Sequence, residues 1–371
     1  MDERALSLDE FITESQFWGK WEVSYTDGSH LPVNEYIRLG DFTIDASKEE
    51  AQIYPILPFE FRTVTDQEIT CQFSEIARCH FAVTDKDKKA AQQNQVNRAA
   101  DLIRDLLAES MVRTGLVRPK LCLMEDQKIE MDFVEVMKRL SNSNYLLFVV
   151  DTGALRRATA SFLHLELSSV PIWVVVPVFV MNEVQRGVED IKNLWGGTGR
   201  GLQPELKNCE VLRKRPQVSC VSQELNHLRM WRPVEMLTTL REHLGRSNGQ
   251  SRVDRLIIES AKNLKRDRGL HRGVYLLTGD KDMASLATLE NQGSLHVDVP
   301  PLPSTISSVR YNSQSSKFVL TPIHNLLWDL ALIFSKIRLV NKEDCRIYEL
   351  DYYSKGRGGF IAHNVMEIRA L

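Results

Sequence analysis

Cysteine is scarce, with six dispersed through 371 residues. That rules out a disulfide framework and sets the expectation of a reducing interior, cytoplasm or nucleus. Cys71, Cys79 and His80 lie close together, but no second pair follows at zinc spacing, so they read as ordinary packed thiols and an imidazole. No apolar run approaches the roughly 20 residues needed to cross a bilayer. The longest, Val170 to Met181, stops well short, and no membrane partner is expected. The opening MDERALSLDE lacks the basic start and apolar middle of a secretory leader. Internal repeats and low-complexity tracts are missing as well, which removes solenoids and fibrous arrays. Charge of one sign is not in excess either, since the net charge is −2.

What is present suits a globular protein, with 43% hydrophobic and 26% charged residues. The length is too great for one ordinary core, so two domains with a C-terminal appendage are expected. Charge is unevenly spread along the chain. Residues 1–144 hold 17 Lys and Arg against 26 Asp and Glu, residues 145–300 hold 21 against 17, and residues 301–371 hold 9 against 6. The later segments therefore carry the basic excess on which a polyanion could be held.

Residues 15–83 read as mostly strand, with Trp21 to Tyr25 and Ile69 to Phe73 alternating and turn signals at Thr26 to Ser29 and Leu39 to Asp41. Residues 87–115 read as one long helix on the stripe Ala91, Val96, Ala99, Ile103, Leu106 and Leu107, and Phe133 to Leu140 as a second. The polar cluster Ser141 to Asn144 marks a boundary, giving a separate N-terminal α+β domain over 1–143. From Tyr145 unbroken apolar runs appear at Leu146 to Val150 and Ile172 to Val176, followed by a helix over Val253 to Leu264, a third strand over Val274 to Leu277 and a fourth over Leu295 to Val299. Such runs separated by helices are the pattern of a parallel sheet covered on both faces, so residues 144–300 are expected to be an α/β domain. Residues 186–252 read as a helical or loop insertion, in which the Gly-rich Trp195 to Gly201 reads as a surface loop. After Pro300 to Pro303 a helix over Ile323 to Ile337, two short strands and the turn Ser354 to Gly359 form a C-terminal extension over 301–371.

Parallel sheets bind ligands beyond the carboxyl ends of their strands. Asp151 stands directly after Leu146 to Val150, and Asp280 follows Val274 to Leu277 with only Thr278 and Gly279 between. Either acid alone could equally cap the next helix. Glu183 and Asp254 are expected early in two further helices, whose N-termini belong at the same edge. Four converging carboxylates repel one another, and a divalent cation relieves that repulsion. Oxygen-only ligation selects Mg²⁺ or Mn²⁺, and such sites serve phosphodiester hydrolysis.

Val149 to Leu155, Val176 to Val184, Asp254 to Ala261 and Leu276 to Asp282 resemble, in order, the four successive motifs of PIN-domain nucleases. The resemblance covers about residues 144–300 and implies a flattened Rossmann-like parallel sheet flanked by helices. It further implies Mg²⁺- or Mn²⁺-dependent endonuclease cleavage, usually of single-stranded RNA. Asp151, Glu183, Asp254 and Asp280 would be the acidic quartet, with Asp282 an additional member and Thr152 in the place of the usual Asn. The long gap between Glu183 and Asp254 departs from compact members. Among basic residues, Arg156, Arg157, Arg255 and Lys281 are the candidates to hold phosphates; Arg252, Lys262, Lys265, Arg266 and Arg268 surround the third motif, and Lys355 and Arg357 lie in the terminal turn.

Three other readings compete. A PIN-like fold could serve as a silent scaffold or RNA-binding module, or cut DNA instead of RNA. A haloacid-dehalogenase-type phosphatase would explain Gly279 to Asp282, but that chemistry needs Asp where Gly153 stands. The acidic N-terminal segment is expected to recruit a protein partner, a second copy of the chain or the substrate, or to restrain the nuclease.

Overall fold

A computed structural model of the chain describes residues 4–6, 19–26, 37–45, 68–72, 102, 105–115, 117–126, 128–196, 204–231, 235–237, 250–267, 269, 273–300, 322–355 and 363–371. The turn signal after Thr26, most of the first helix expected over 87–115, Cys79, His80, Gly197 to Gly201, Arg268, the linker after Pro300 and Gly356 to Gly359 lie outside them, as do the side chains of Cys71 and Arg252.

In chain order the strands are β1 (Arg4–Leu6), β2 (Gly19–Thr26), β3 (Ile37–Asp45), β4 (Glu68–Gln72), β5 (Lys120–Glu125), β6 (Lys128–Glu130), β7 (Leu146–Val150), β8 (Ile172–Pro177), β9 (Glu235–Leu237), β10 (Val274–Thr278), β11 (Ser294–Asp298), β12 (Lys336–Asn341), β13 (Ile347–Lys355) and β14 (His363–Ala370). The named helices are α1 (Phe133–Ser141), α2 (Thr152–Arg156), α3 (Thr159–Glu166), α4 (Val178–Gly196), α5 (Pro204–Trp231), α6 (Gln250–Asp267), α7 (Lys281–Leu289) and α8 (Pro322–Phe334). Residues 105–113 are also helical.

The chain divides into two compact units. One comprises Met1–Val117, Leu194–Arg213 and Pro301–Leu371. Its sheet has the order β1-β14-β13-β12-β2-β3-β4, every neighbouring pair antiparallel. β12 alternates half-buried and buried residues, so Ile337 and Leu339 share an inner face with Trp21, Val23, Tyr348 and Leu350, all essentially inaccessible. Helix α8 covers β2, β12 and β13. The expected separate N-terminal domain and C-terminal extension are thus corrected: strands from both ends build one sheet, because β12 hydrogen-bonds along the edge of β2. Three strands, rather than two, close the chain. The expected turn at Leu39 to Asp41 is also replaced. Gly40 lies inside β3 opposite Val23, where the register shifts, so this glycine accommodates a bulge.

The second unit comprises Arg118–Asn193 and Lys214–Pro300, so the boundary falls after Val117 and not after Ser143. Its seven strands run β6-β5-β11-β10-β7-β8-β9. β11, β10, β7, β8 and β9 are parallel, while β5 and β6 add an antiparallel ribbon at one edge. The sheet is therefore mixed, not purely parallel. β7 and β10 are buried at every position, as strands covered on both faces must be. The segment expected as an insertion supplies to this unit the later part of α4 up to Asn193, α5 from Lys214 on and the edge strand β9.

The order of strands creates the edge at which the candidate residues stand. From β7 the chain moves one way to β8 and β9, then returns to place β10 and β11 on the other side of β7. The connections diverge between β7 and β10, which opens a crevice beyond their carboxyl ends. The opposite edge is anchored at Gly273, whose φ is +76° and where a Cβ would come within 2.6 Å of the Tyr145 carbonyl oxygen. Gly273→Ala is expected to lower stability by about 1–3 kcal/mol, read as a lower urea midpoint with an unchanged slope.

Candidate active site

β7 ends at Asp151, whose amide donates to the Leu277 carbonyl of β10 at 3.1 Å. Its carboxylate is buried and caps α2, accepting from the Ala154 amide at 2.5 Å. The Thr278 hydroxyl donates to its other oxygen, and the Gly279 amide approaches both oxygens at 3.4 and 3.3 Å. Burial pushes the Asp151 pKa up to about 6, against the opposing pull of Thr278, the Ala154 and Gly279 amides and Arg157. Asp280 caps α7 in the same way, accepting from the Asp282 and Met283 amides at 2.8 and 3.2 Å. Both acids ending the central strands therefore cap helices. Thr278 links them, since its oxygen accepts from the Asp280 amide at 2.9 Å while its proton goes to Asp151.

The other two acids come to this edge from α4 and α6. Glu183 is half-buried and accepts a hydrogen bond from the Thr152 hydroxyl, one residue beyond Asp151. Asp254 is half-buried in the first turns of α6, and its pKa is raised first by burial and then by the charges of Asp280 and Glu183. Among the described residues its carboxylate has no hydrogen-bond or salt-bridge partner. Glu183, Asp254 and Asp280 thus share one field of negative potential at the end of the β7–β10 crevice. Asp282 is exposed on the first turn of α7, and its backbone amide donates to the Asp280 carboxylate.

The basic residues divide by role. Arg157 is half-buried; its guanidinium donates to the Gly279 carbonyl at 3.1 Å and to the Val297 carbonyl, tying the β10–α7 turn to β11. A Cβ on Gly279 would stand 2.6 Å from that guanidinium, so glycine is required for this brace. Arg157 is a structural clamp in this arrangement, whereas Arg255 and Lys281 are exposed and Arg156 is half-buried. Lys262 pairs with Glu290 at 3.1 Å, and Arg266 with Asp267 at 3.4 Å. Lys265 lines a cavity of about 650 Å³ with Tyr145, Gly273 and Gly293, at the strands' amino edge. These three lie toward the far end of α6 from Asp254, and do not surround the acidic edge.

Two residues at this edge escaped the sequence reading. His296 lies on β11, mostly buried; burial holds its pKa below the usual value, with Asp298, Arg157 and Asp280 as charged neighbours. Asp298 closes β11 as Asp151 closes β7. Asp298 lies inside the expected strand Leu295 to Val299 and not after it, so an acid directly following an apolar run did not mark it.

Oxygen-only donors carrying uncompensated negative charge suit a hard divalent cation. Among the described residues, however, no three His, Cys, Asp or Glu side chains stand in an array ready to hold one. No helix among them is long and apolar enough to cross a membrane.

No protein-family model and no curated protein matches this chain. The reading of the site therefore rests on its own residues.

Asp151 makes a sign-specific expectation. A carboxyl whose pKa rises from 3.8 to about 6 on folding keeps its proton in the native state where the unfolded chain has lost it. Its contribution to stability is full below about pH 4 and is lost as pH rises through about 6. Urea midpoints measured across that window should fall with rising pH at this group, and Asp151→Asn should flatten the fall.

Proposed function

We propose that the second unit, residues 118–193 and 214–300, is a PIN-like, metal-dependent endoribonuclease that hydrolyses phosphodiester bonds in single-stranded RNA. The observation that carries the reading is the field shared by Glu183, Asp254 and Asp280, with Asp254 lacking any hydrogen-bonding or cationic partner among the described residues. Desolvating like charges without compensation costs folding free energy, and a site that keeps them has a use for a cation. The ordered resemblance of four sequence motifs to PIN-domain nucleases supports the same conclusion.

Glu183, Asp254 and Asp280 would hold Mg²⁺ or Mn²⁺, with Asp151, whose carboxylate bonds Thr278 and the Gly279 amide, as the fourth acid of the group. When bound, such an ion supplies positive charge against phosphate oxygens and acidifies water. The chain's own residues do the positioning. Thr152 orients Glu183, Thr278 couples Asp151 to the Asp280 turn, and Arg157 braces that turn against β11. Arg255, Lys281 and Arg156 are the side chains proposed to meet the RNA backbone, an interaction insensitive to sequence and weakened by salt.

The test is cleavage of end-labelled single-stranded RNA and DNA oligonucleotides in Mn²⁺, in Mg²⁺ and in chelator. RNA cut internally in metal and intact in chelator is the expected result. Preferential cutting of DNA would move the substrate but keep the site. No cutting of either, with binding retained, would favour a silent RNA-binding scaffold, a reading consistent with the capping roles of Asp151 and Asp280. Thr152→Val removes the donor that holds Glu183, and is expected to lower activity about 10–100-fold, with the Mn²⁺ requirement shifted upward.

A further inference from the structure

Among the described residues, the antiparallel ribbon that begins the second unit ends in an uncovered strand. β6 is bonded to β5 on one side, with Leu123 opposite Glu130, Met124 opposite Ile129 and Glu125 opposite Lys128. Its other side is the edge of the sheet. Edge strands are commonly shielded by charge and shortness, and β6 is short, with Lys128 and Glu130 at its ends. Yet its surroundings are apolar. Ile129 is 63% exposed, Met131 72% and Val134 66%, which are three of the five exposed large hydrophobics among the described residues, all within six positions. Residues opposite in register share a face, so Ile129 continues the layer of Met124, which packs with Cys122 and Ala284. The apolar layer runs out to the edge and stops there uncovered.

The sequence of the strand says what would cover it. Lys128-Ile129-Glu130 is complementary to itself when two copies run antiparallel about a two-fold axis through Ile129. Lys128 of each copy then faces Glu130 of the other, and the two Ile129 side chains meet at the axis. A parallel arrangement would put Lys opposite Lys. Lys128 has no partner among the described residues. Glu130 uses one oxygen to accept from the Met131 and Asp132 amides at 3.0 and 2.9 Å, leaving the other oxygen to accept. A two-fold contact must use one patch twice, and this strand meets that condition in charge and in hydrophobicity.

We infer that β6 is a self-association edge, through which two copies of this chain pair antiparallel and join their sheets. This goes beyond the nuclease reading and does not depend on it. Three residues of strand make a small contact, so the dimer is weak, with a Kd on the order of 10–100 µM.

Sedimentation equilibrium of the full chain across that concentration range reads the association directly. Wild type should shift from monomer to dimer. Lys128→Glu alone places like charges opposite each other twice, and should weaken association by about tenfold. Glu130→Lys alone should do the same. The double variant Lys128→Glu with Glu130→Lys restores complementarity, and should return the Kd to within about threefold of wild type. Ile129→Asp should leave only monomer, with the circular-dichroism spectrum and urea midpoint of the wild type. A chain that stays monomeric well above that range overturns the inference, as does a dimer indifferent to all four variants. A double variant as weak as the single ones overturns the two-fold pairing, because a different partner surface would not be rescued by swapping these charges.

Discussion

Asp254→Asn is expected to reduce RNA cleavage in Mn²⁺ on the order of 100-fold or more, while leaving the folded protein as stable as before or slightly more so. The two halves of that expectation have one cause. In the folded chain the Asp254 carboxylate is half-buried beside Asp280 and Glu183, and its pKa is raised. Folding therefore disfavours its charge, so above its folded pKa ionised Asp254 subtracts from stability. An asparagine of the same shape keeps the packing and removes the repulsion. A cation, in contrast, needs that charge. Activity measured with saturating RNA over a Mn²⁺ titration, beside a urea denaturation curve, separates the effects. Retained cleavage would remove Asp254 from the site and leave the proposed centre without its least compensated ligand. Lost cleavage with a lowered midpoint would instead mark Asp254 as a structural residue.

The second large effect belongs to the other unit. Asp329 on α8 accepts two hydrogen bonds from Arg113, Nε at 2.9 Å and Nη2 at 2.6 Å, and a third from the Ser110 hydroxyl at 2.5 Å. The paired side chains are only 5% and 9% exposed. A bidentate pair at such depth repays its desolvation only while both partners remain. Asp329→Ala is expected to cost about 3–5 kcal/mol, because it strips a buried guanidinium of its carboxylate. The double change Arg113→Met with Asp329→Leu should recover most of that loss, since the guanidinium and its carboxylate are removed together. Urea unfolding of the single and double variants checks both statements. If Asp329→Ala costs under about 1 kcal/mol, the pair is worth no more than a surface salt bridge such as Arg266–Asp267. The helix at 105–113 and α8 would then be held by apolar contact alone.

Much of the second unit was legible in the chain itself. Leu146 to Val150 is apolar at every position and Val274 to Leu277 nearly so, the pattern of strands covered on both faces, and both are buried throughout. Ile172 to Val176 and Leu295 to Val299 match β8 and β11 to within one residue at each end. The acid after each central strand was visible because it interrupts an apolar run. Its capping was equally visible, and both Asp151 and Asp280 do cap. Residues 118–143 were assigned to the wrong unit for a physical reason: the polar cluster Ser141 to Asn144 looks like a linker, and it is the turn between α1 and β7. Nothing local to Lys120–Glu125 says that it lies antiparallel against β11, some 170 positions later.

Residue type and spacing alone determined the elements: their kind, their approximate ends, the buried faces, and the acids at the strand ends. Those properties follow from periodicity and capping, which act over a few residues. The tertiary structure decided neighbours. It set β7 beside β10, so that Asp151 and the Asp280 turn share Thr278, and it brought β12 onto the edge of β2, joining the two ends of the chain in one sheet. It also turned Arg157 inward to two backbone carbonyls, away from the phosphate role its position suggested. Pairings of this kind are chosen by which strand edges and apolar faces remain uncovered once the whole chain has collapsed, and no short window of sequence contains that information.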